Sequence, residues 1–257
     1  MFSLYWALRR RKAVRDQVAV LREYATGWSA FSDVLDATRS LEDWLVQTNA
    51  DTATGYFQLE GRLEYSTFNS SNYYRTVLVS AIKRHFGAIE SITEYGCGIG
   101  RNLLYLKQQF PTLKCYGYEL VSEGVEIARR AAKKFGMDVE YSQLDYLRDG
   151  SEKFVFPETD LSFTMFSLEQ LPSGCDAALR NMLRRTRLGS IHLEPVPENY
   201  PYTLRGWIAR VQHHKLGYLS GFPDAVAKQS LKSAVCECMS SSHNPLMFPS
   251  MYALKKN

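Results

Sequence analysis

"SITEYGCGIGRNLLYL", Ser91 to Leu106, is the stretch on which the fold turns. A short apolar run ends at Tyr95. Gly96, Gly98 and Gly100 follow within five residues, and a helical run starts near Arg101. The pattern predicts a strand, a tight turn and a helix. Glycine takes positive φ without steric cost and lets another group lie against bare backbone. A helix N-terminus facing such a turn adds free N–H groups and partial positive charge, which suit an anionic end of a ligand. Two phosphate-binding patterns fail here. The dinucleotide fingerprint G-x-G-x-x-G needs glycine at 101, where Arg101 stands, and the G-x-x-x-x-G-K-[ST] loop needs a Lys-Ser or Lys-Thr pair after Gly100. What remains is E-x-G-x-G-x-G, Glu94 to Gly100.

Moving outward, short apolar runs alternate with helical ones. Strands are predicted at 91–95, 114–120, 138–144, 160–166 and 190–196, with "RNLLYLKQQF", "SEGVEIARRAAKKFG" and "DAALRNMLRRTR" as helices between them. That alternation means βαβ units and a parallel sheet covered on both faces. "LKSAVCECMS" and "FPSMYALKK" flank "SSHNPLM" and read as a final antiparallel pair. The expectation is an α/β fold: a doubly wound, seven-stranded, mostly parallel sheet with an antiparallel last strand. Residues 1–84 read as an N-terminal helical cap and 85–257 as the ligand-binding domain. Within the cap, Ser40 is an expected N-cap with Asp43 three residues on. "NADTATGYFQLEGRLEYSTFNSSNYYR" reads as a covering loop, and residues 73 to 86 as a helix.

The resemblance carried by Glu94 to Gly100 is to the class I (Rossmann-like) S-adenosylmethionine-dependent methyltransferases, and it extends beyond one motif. In "YGYEL" Glu119 stands where that family has an acidic residue for both ribose hydroxyls, with Leu120 beside it; a carboxylate and two hydroxyls make a charge-assisted pair. In "QLDYL" Asp145 matches the position that accepts from the adenine amino group, flanked by Leu144 and Tyr146. Phe166 and Ser167 match the segment near the methionine part, and Glu94 the position that organises its ammonium. Cys97 lies inside the glycine turn. Arg75 is on a helix that in relatives contacts the methionine carboxylate. The resemblance implies S-adenosyl-L-methionine as cofactor.

In an in-line displacement on a sulfonium the protein mainly positions the nucleophile and removes a proton. The loop between the last two strands should open on the glycine edge, bringing His243, Asn244 and Phe248 toward the site. His243 is the leading candidate base; Glu169, Gln170 and Glu194 follow strands four and five. His213 and His214 read more simply as a helix face, and His192, inside a strand, as a core histidine. Glu169 and Glu194 could also pair on a cation, but no metal site is expected. Asn/Asp-Pro-Pro-Tyr is absent after strand four, where Ser167-Leu168-Glu169-Gln170 stands; that lowers amino groups of bases or glutamine as acceptors. Tyr56, Phe57, Tyr200, Tyr202, Trp207 and Phe222 are expected around the opening. The favoured acceptor is a hydroxyl of a small molecule: a sugar, a glycolipid head or a secondary metabolite. The alternatives are an N-methyltransferase on a small amine or protein, and a non-catalytic binding relative.

The 257 residues suffice for a sizeable core, and 45% hydrophobic with 23% charged residues reads as globular. A net charge of +4 is too small and scattered for a nucleic-acid partner. Five cysteines without C-x-x-C read as reduced thiols in a cytoplasmic protein. The segment "MFSLYWALRRRK" has its charge after its apolar stretch, the reverse of a secretory signal. It reads as packing on its own domain or on a partner subunit, as in a homodimer, or as an amphipathic helix in peripheral contact with a membrane.

Overall fold

The structure is a computed structural model that describes residues 17–47, 52–145, 155–171 and 173–257. The N-terminal segment "MFSLYWALRRRK" and Tyr146 lie outside the described residues. The chain enters through helices α1 (Gln17–Ser29), α2 (Phe31–Ala37) and α3 (Leu41–Gln47). Ser40 Oγ accepts the Asp43 N–H at 3.0 Å, the expected helix cap.

The expected covering loop is instead a hairpin of β1 (Thr52–Leu59) and β2 (Arg62–Asn69). Its two-residue turn is Glu60-Gly61, with φ of 47° and 81°. Positive φ at both centres is the turn whose twist matches antiparallel strands. Tyr56 pairs with Tyr65 on one face, while Phe57 and Phe68 pack together on the other. Apolar residues on both faces hid the simple in–out alternation that marks a half-buried strand.

Helix α4 (Ser70–His85) leads into the main sheet. The sheet contains β3 (Ser91–Tyr95), β4 (Lys114–Glu119), β5 (Val139–Gln143), β6 (Thr159–Met165), β7 (Thr186–Pro195), β8 (Leu231–Cys238) and β9 (Pro249–Lys256). Strands lie in the order β5-β4-β3-β6-β7-β9-β8, and β9 runs antiparallel to both neighbours. Helices α5 (Arg101–Gln109), α6 (Ser122–Lys134), α7 (Cys175–Arg184), α8 (Leu204–Leu216) and α9 (Phe222–Ala227) complete the chain. The seven predicted strands are all present, within a few residues of their expected bounds.

Alternation along β4 shows how the sheet is buried on both faces. Cys115 belongs to one apolar cluster with Leu78, Ile92 and Leu103; Tyr116 and Tyr118 belong to the other with Phe156, Leu179 and Phe222. From β3 the chain winds to β4 and β5 on one side, then returns through β6 and β7 on the other. The reversal leaves a crevice beyond the carboxyl ends of β3 and β6, where open α/β sheets bind ligands. Among the described residues no helix is long and apolar enough to cross a membrane.

Candidate functional site

A cavity of about 520 Å³ lies at that reversal. Gly96, Cys97 and Gly98 line it after β3, Glu119 and Leu120 after β4, Leu144 and Asp145 after β5, and Phe166 and Ser167 after β6. Leu21, Tyr24 and Trp28 of α1, Tyr74 and Arg75 of α4, and His243 also line it.

All three glycines of the turn have positive φ: 74° at Gly96, 53° at Gly98 and 79° at Gly100. Each also has a neighbour where a Cβ would stand. At Gly96 it is Ser167 Oγ and Cβ, and at Gly98 the Trp28 ring, 3.0 Å from the position of that atom. At Gly100 it is Tyr141 Oη at 2.5 Å, which donates to the Gly100 carbonyl at 3.0 Å. Gly100 therefore does not line the cavity, contrary to expectation; its bareness accommodates Tyr141 of the neighbouring strand. Gly96→Ala is expected to force Ser167 away and to strain the turn. Its melting temperature should fall by several degrees and its affinity for S-adenosylhomocysteine by about tenfold, read by thermal unfolding and calorimetry.

Glu119 ties the turn to β4. Its Oε2 accepts the Gly98 N–H at 2.8 Å and its Oε1 the Val121 N–H at 3.1 Å. Burial pushes its carboxyl up, opposed by those same N–H groups. Glu94, on the central strand, is 1% exposed. Its Oε1 accepts from Asn102 Nδ2 at 2.8 Å, and Asn102 Oδ1 accepts from Arg75 Nε at 3.2 Å. Glu94 Oε2 is buried without a hydrogen-bond partner. Burial raises this carboxyl to about 8, against the pull of Asn102 and Arg75. An orphaned buried oxygen in a cavity wall suits a cationic hydrogen-bond donor on a ligand. The cofactor implied by the sequence carries an ammonium, so these residues fit it.

Phe166 is the one described non-glycine residue besides Glu60 with positive φ, at 54°. Such a conformer costs about 1–3 kcal/mol and persists where surroundings impose it. Here the Phe166 N–H donates to Leu193 O at 3.0 Å, and its ring meets Tyr74 and His243 at centroid distances of 4.6 and 5.6 Å. Tyr74 Oη lies 3.0 Å from His243 Nδ1 and accepts the His243 main-chain N–H at 3.2 Å. One phenol thus fixes both the loop and the ring. Glu169 also lines the cavity, and Gln170 Nε2 donates to its Oε1 at 2.7 Å.

Other expectations are corrected. Glu194 does not reach the cavity: its two oxygens accept the main-chain N–H groups of Ser167, Leu168 and Glu169, each at 3.1 Å. It is fully buried, its carboxyl raised to about 7 by burial, and it shapes the turn after β6. It therefore makes no cation site with Glu169. Asn244 and Phe248 stay out of the wall; Phe248 packs on Tyr200. None of Tyr56, Phe57, Tyr200, Tyr202, Trp207 and Phe222 lines the cavity, because three are core residues and three are exposed elsewhere. His213 is buried between Tyr200 Oη and Leu219 O, and His192 between Thr164 and Ser190 hydroxyls. Burial lowers both, to about 4 and about 3. Sequence reasoning missed Asn102 and Trp28. Asn102 sits in the first turn of α5, where a polar residue faces the strand end; nothing in the sequence joins Trp28 to Gly98.

This arrangement, a glycine turn at the reversal of a seven-stranded 3-2-1-4-5-7-6 sheet with carboxylates ending its first two strands, defines the class I methyltransferase fold. Residues 92–189 match the family model of a methyltransferase domain, and the chain has the fold of the class I, S-adenosylmethionine-dependent methyltransferases. No curated protein matches the chain at the sequence level. Among solved structures, magnesium protoporphyrin IX methyltransferase from Synechocystis PCC 6803, with bound S-adenosylhomocysteine, is 12% identical with a TM-score of 0.58, covering 94% of this chain and 100% of its own. The geranyl diphosphate C-methyltransferase from Streptomyces coelicolor A3(2), also with S-adenosylhomocysteine, is 11% identical with a TM-score of 0.57, covering 92% and 98%. The [4+2]-cyclase SpnF is 14% identical with a TM-score of 0.60, covering 90% and 94%.

Proposed function

We propose that the chain transfers a methyl group from S-adenosylmethionine to a hydroxyl of a small molecule. The observation that carries the cofactor reading is the orphaned Glu94 Oε2 beside the Gly96–Gly98 turn that Glu119 holds. In this reading Glu94 and Arg75 hold the amino-acid end and Glu119 takes the ribose hydroxyls. Asp145 and Leu144 meet the base, and Phe166 and Ser167 flank the methyl-bearing end. The cofactor supplies an electrophilic methyl; the protein supplies position and a proton acceptor.

His243 is that acceptor. In the tautomer whose Nδ1–H donates to Tyr74 Oη, Nε2 is the basic nitrogen that would take the hydroxyl proton. Because the fold neighbours include a cyclase, methyl transfer itself is the quantity to measure. A methyl-labelled donor with a panel of sugar, phenol and amine acceptors, read by mass spectrometry, should yield labelled ethers. Label found only on amines would move the acceptor to nitrogen, and no label on any acceptor would favour a binding protein.

A pH effect follows from Glu94. Its folded value, about 8, lies above the ordinary 4.5, so the ligand-free fold holds a proton the unfolded chain has lost. Stability should fall as pH rises between those values and level off above them. A bound ammonium favours the ionised form, so at pH 7 binding should release a proton. Affinity for S-adenosylhomocysteine should rise up to about pH 8 and then flatten. Calorimetry in buffers of different ionisation heat checks the sign; proton uptake would contradict it.

A further inference from the structure

We propose that the outward face of α8 docks on an anionic lipid surface. Gly206, Ala209 and His213 turn inward and are buried. The opposite side presents Leu204, 75% exposed, and Trp207, 54% exposed, one helical turn apart, with Tyr202 just before them at 97%. A helix side facing only water normally carries polar residues at such positions.

The helix itself carries charge of one sign, with Glu198, Asp224 and, beside the Gly61 carbonyl, Glu60 at its borders. Residues 199–223 contain no Asp or Glu, and they include Arg205, Arg210 and Lys215. Arg205 donates to Gln58 Oε1 at 3.2 Å and to the Gly61 carbonyl at 3.4 Å. Arg210 donates to the Pro197 and Tyr200 carbonyls at 3.0 and 2.7 Å, with its guanidinium over the Tyr202 ring. Those partners orient the two cations without neutralising them. Protruding Trp, Tyr and Leu with flanking arginines match the boundary between headgroups and acyl chains: rings and aliphatics enter, cations meet phosphates. The apolar side chains project from the helix instead of lining a concavity, which disfavours a peptide partner.

The face also adjoins the cavity. Gln58, which Arg205 holds, exchanges main-chain hydrogen bonds with Ser242, and the next residue, His243, is in the cavity wall. A substrate carried in a lipid layer would thus arrive beside the site. The docking itself does not depend on the reaction proposed above.

The test is co-sedimentation of the full chain with vesicles of phosphatidylcholine alone and of phosphatidylcholine with phosphatidylserine. The parent should bind the anionic vesicles, bind the neutral ones weakly, and lose binding as salt rises. Leu204→Ser with Trp207→Ser should lower the partition coefficient by about tenfold or more while leaving the circular dichroism spectrum unchanged, since both side chains are exposed. Absence of binding to either vesicle overturns the proposal, also if the chain binds polyglutamate, which would favour an acidic protein. Equal binding by the double variant and the parent overturns it too, by placing the lipid contact elsewhere in the chain.

Discussion

Glu119→Ala is expected to lower affinity for S-adenosylhomocysteine by about 100-fold or more while the chain stays folded. Two losses combine. The carboxylate is the partner proposed for both ribose hydroxyls, and hydrogen bonds to a charged group are worth about 1.5–3 kcal/mol each. The same carboxylate fixes the Gly98 and Val121 N–H groups, so its removal also loosens the turn against which the nucleoside lies. Relief of the burial that raises the Glu119 carboxyl offsets part of the cost to stability, so binding should suffer far more than unfolding temperature. Glu119→Gln should fall between parent and Ala, because an amide offers only one acceptor oxygen to two N–H groups and two hydroxyls. Calorimetry on all three proteins gives the order.

His243→Ala carries the second large effect. A positioned general base contributes about 10²–10⁴-fold, so turnover should fall by that factor while S-adenosylhomocysteine affinity changes little. Tyr74→Phe separates base from brace. It removes the hydroxyl that holds both Nδ1 and the His243 main chain but leaves the ring packed on Phe166. Its turnover should fall by a smaller factor, about tenfold. Full turnover in His243→Ala would show that the acceptor needs no proton removed by this residue.

Much of the cavity wall around the glycine turn was legible because its residues are local in sequence. Glu94 lies two residues before the first glycine of the turn, Glu119 is the last residue of β4, and Asp145 follows β5 by two residues. Pairing across the sheet was not legible. Gly100 looked like its fellow glycines until β5 placed Tyr141 against it, and Glu194 looked like a catalytic carboxylate until β7 delivered it to three main-chain N–H groups. The acceptor end suffered most. His243 and Tyr74 are 169 residues apart and meet only because the loop before β9 folds over α4. Aromatics expected around the opening went to the core or to solvent, since a high aromatic content says nothing of which surface each ring covers. Turn formers around the hairpin give its sequence the look of a loop, although Glu60-Gly61 between two aromatic-rich runs is a hairpin turn.

The most direct measurement is a calorimetric titration of the full chain with S-adenosylhomocysteine, paired with a thermal shift. The cavity built on Glu94, Gly96, Gly98 and Glu119 predicts saturable heat, one ligand per chain, and a raised melting temperature. No heat and no shift at millimolar ligand would contradict it.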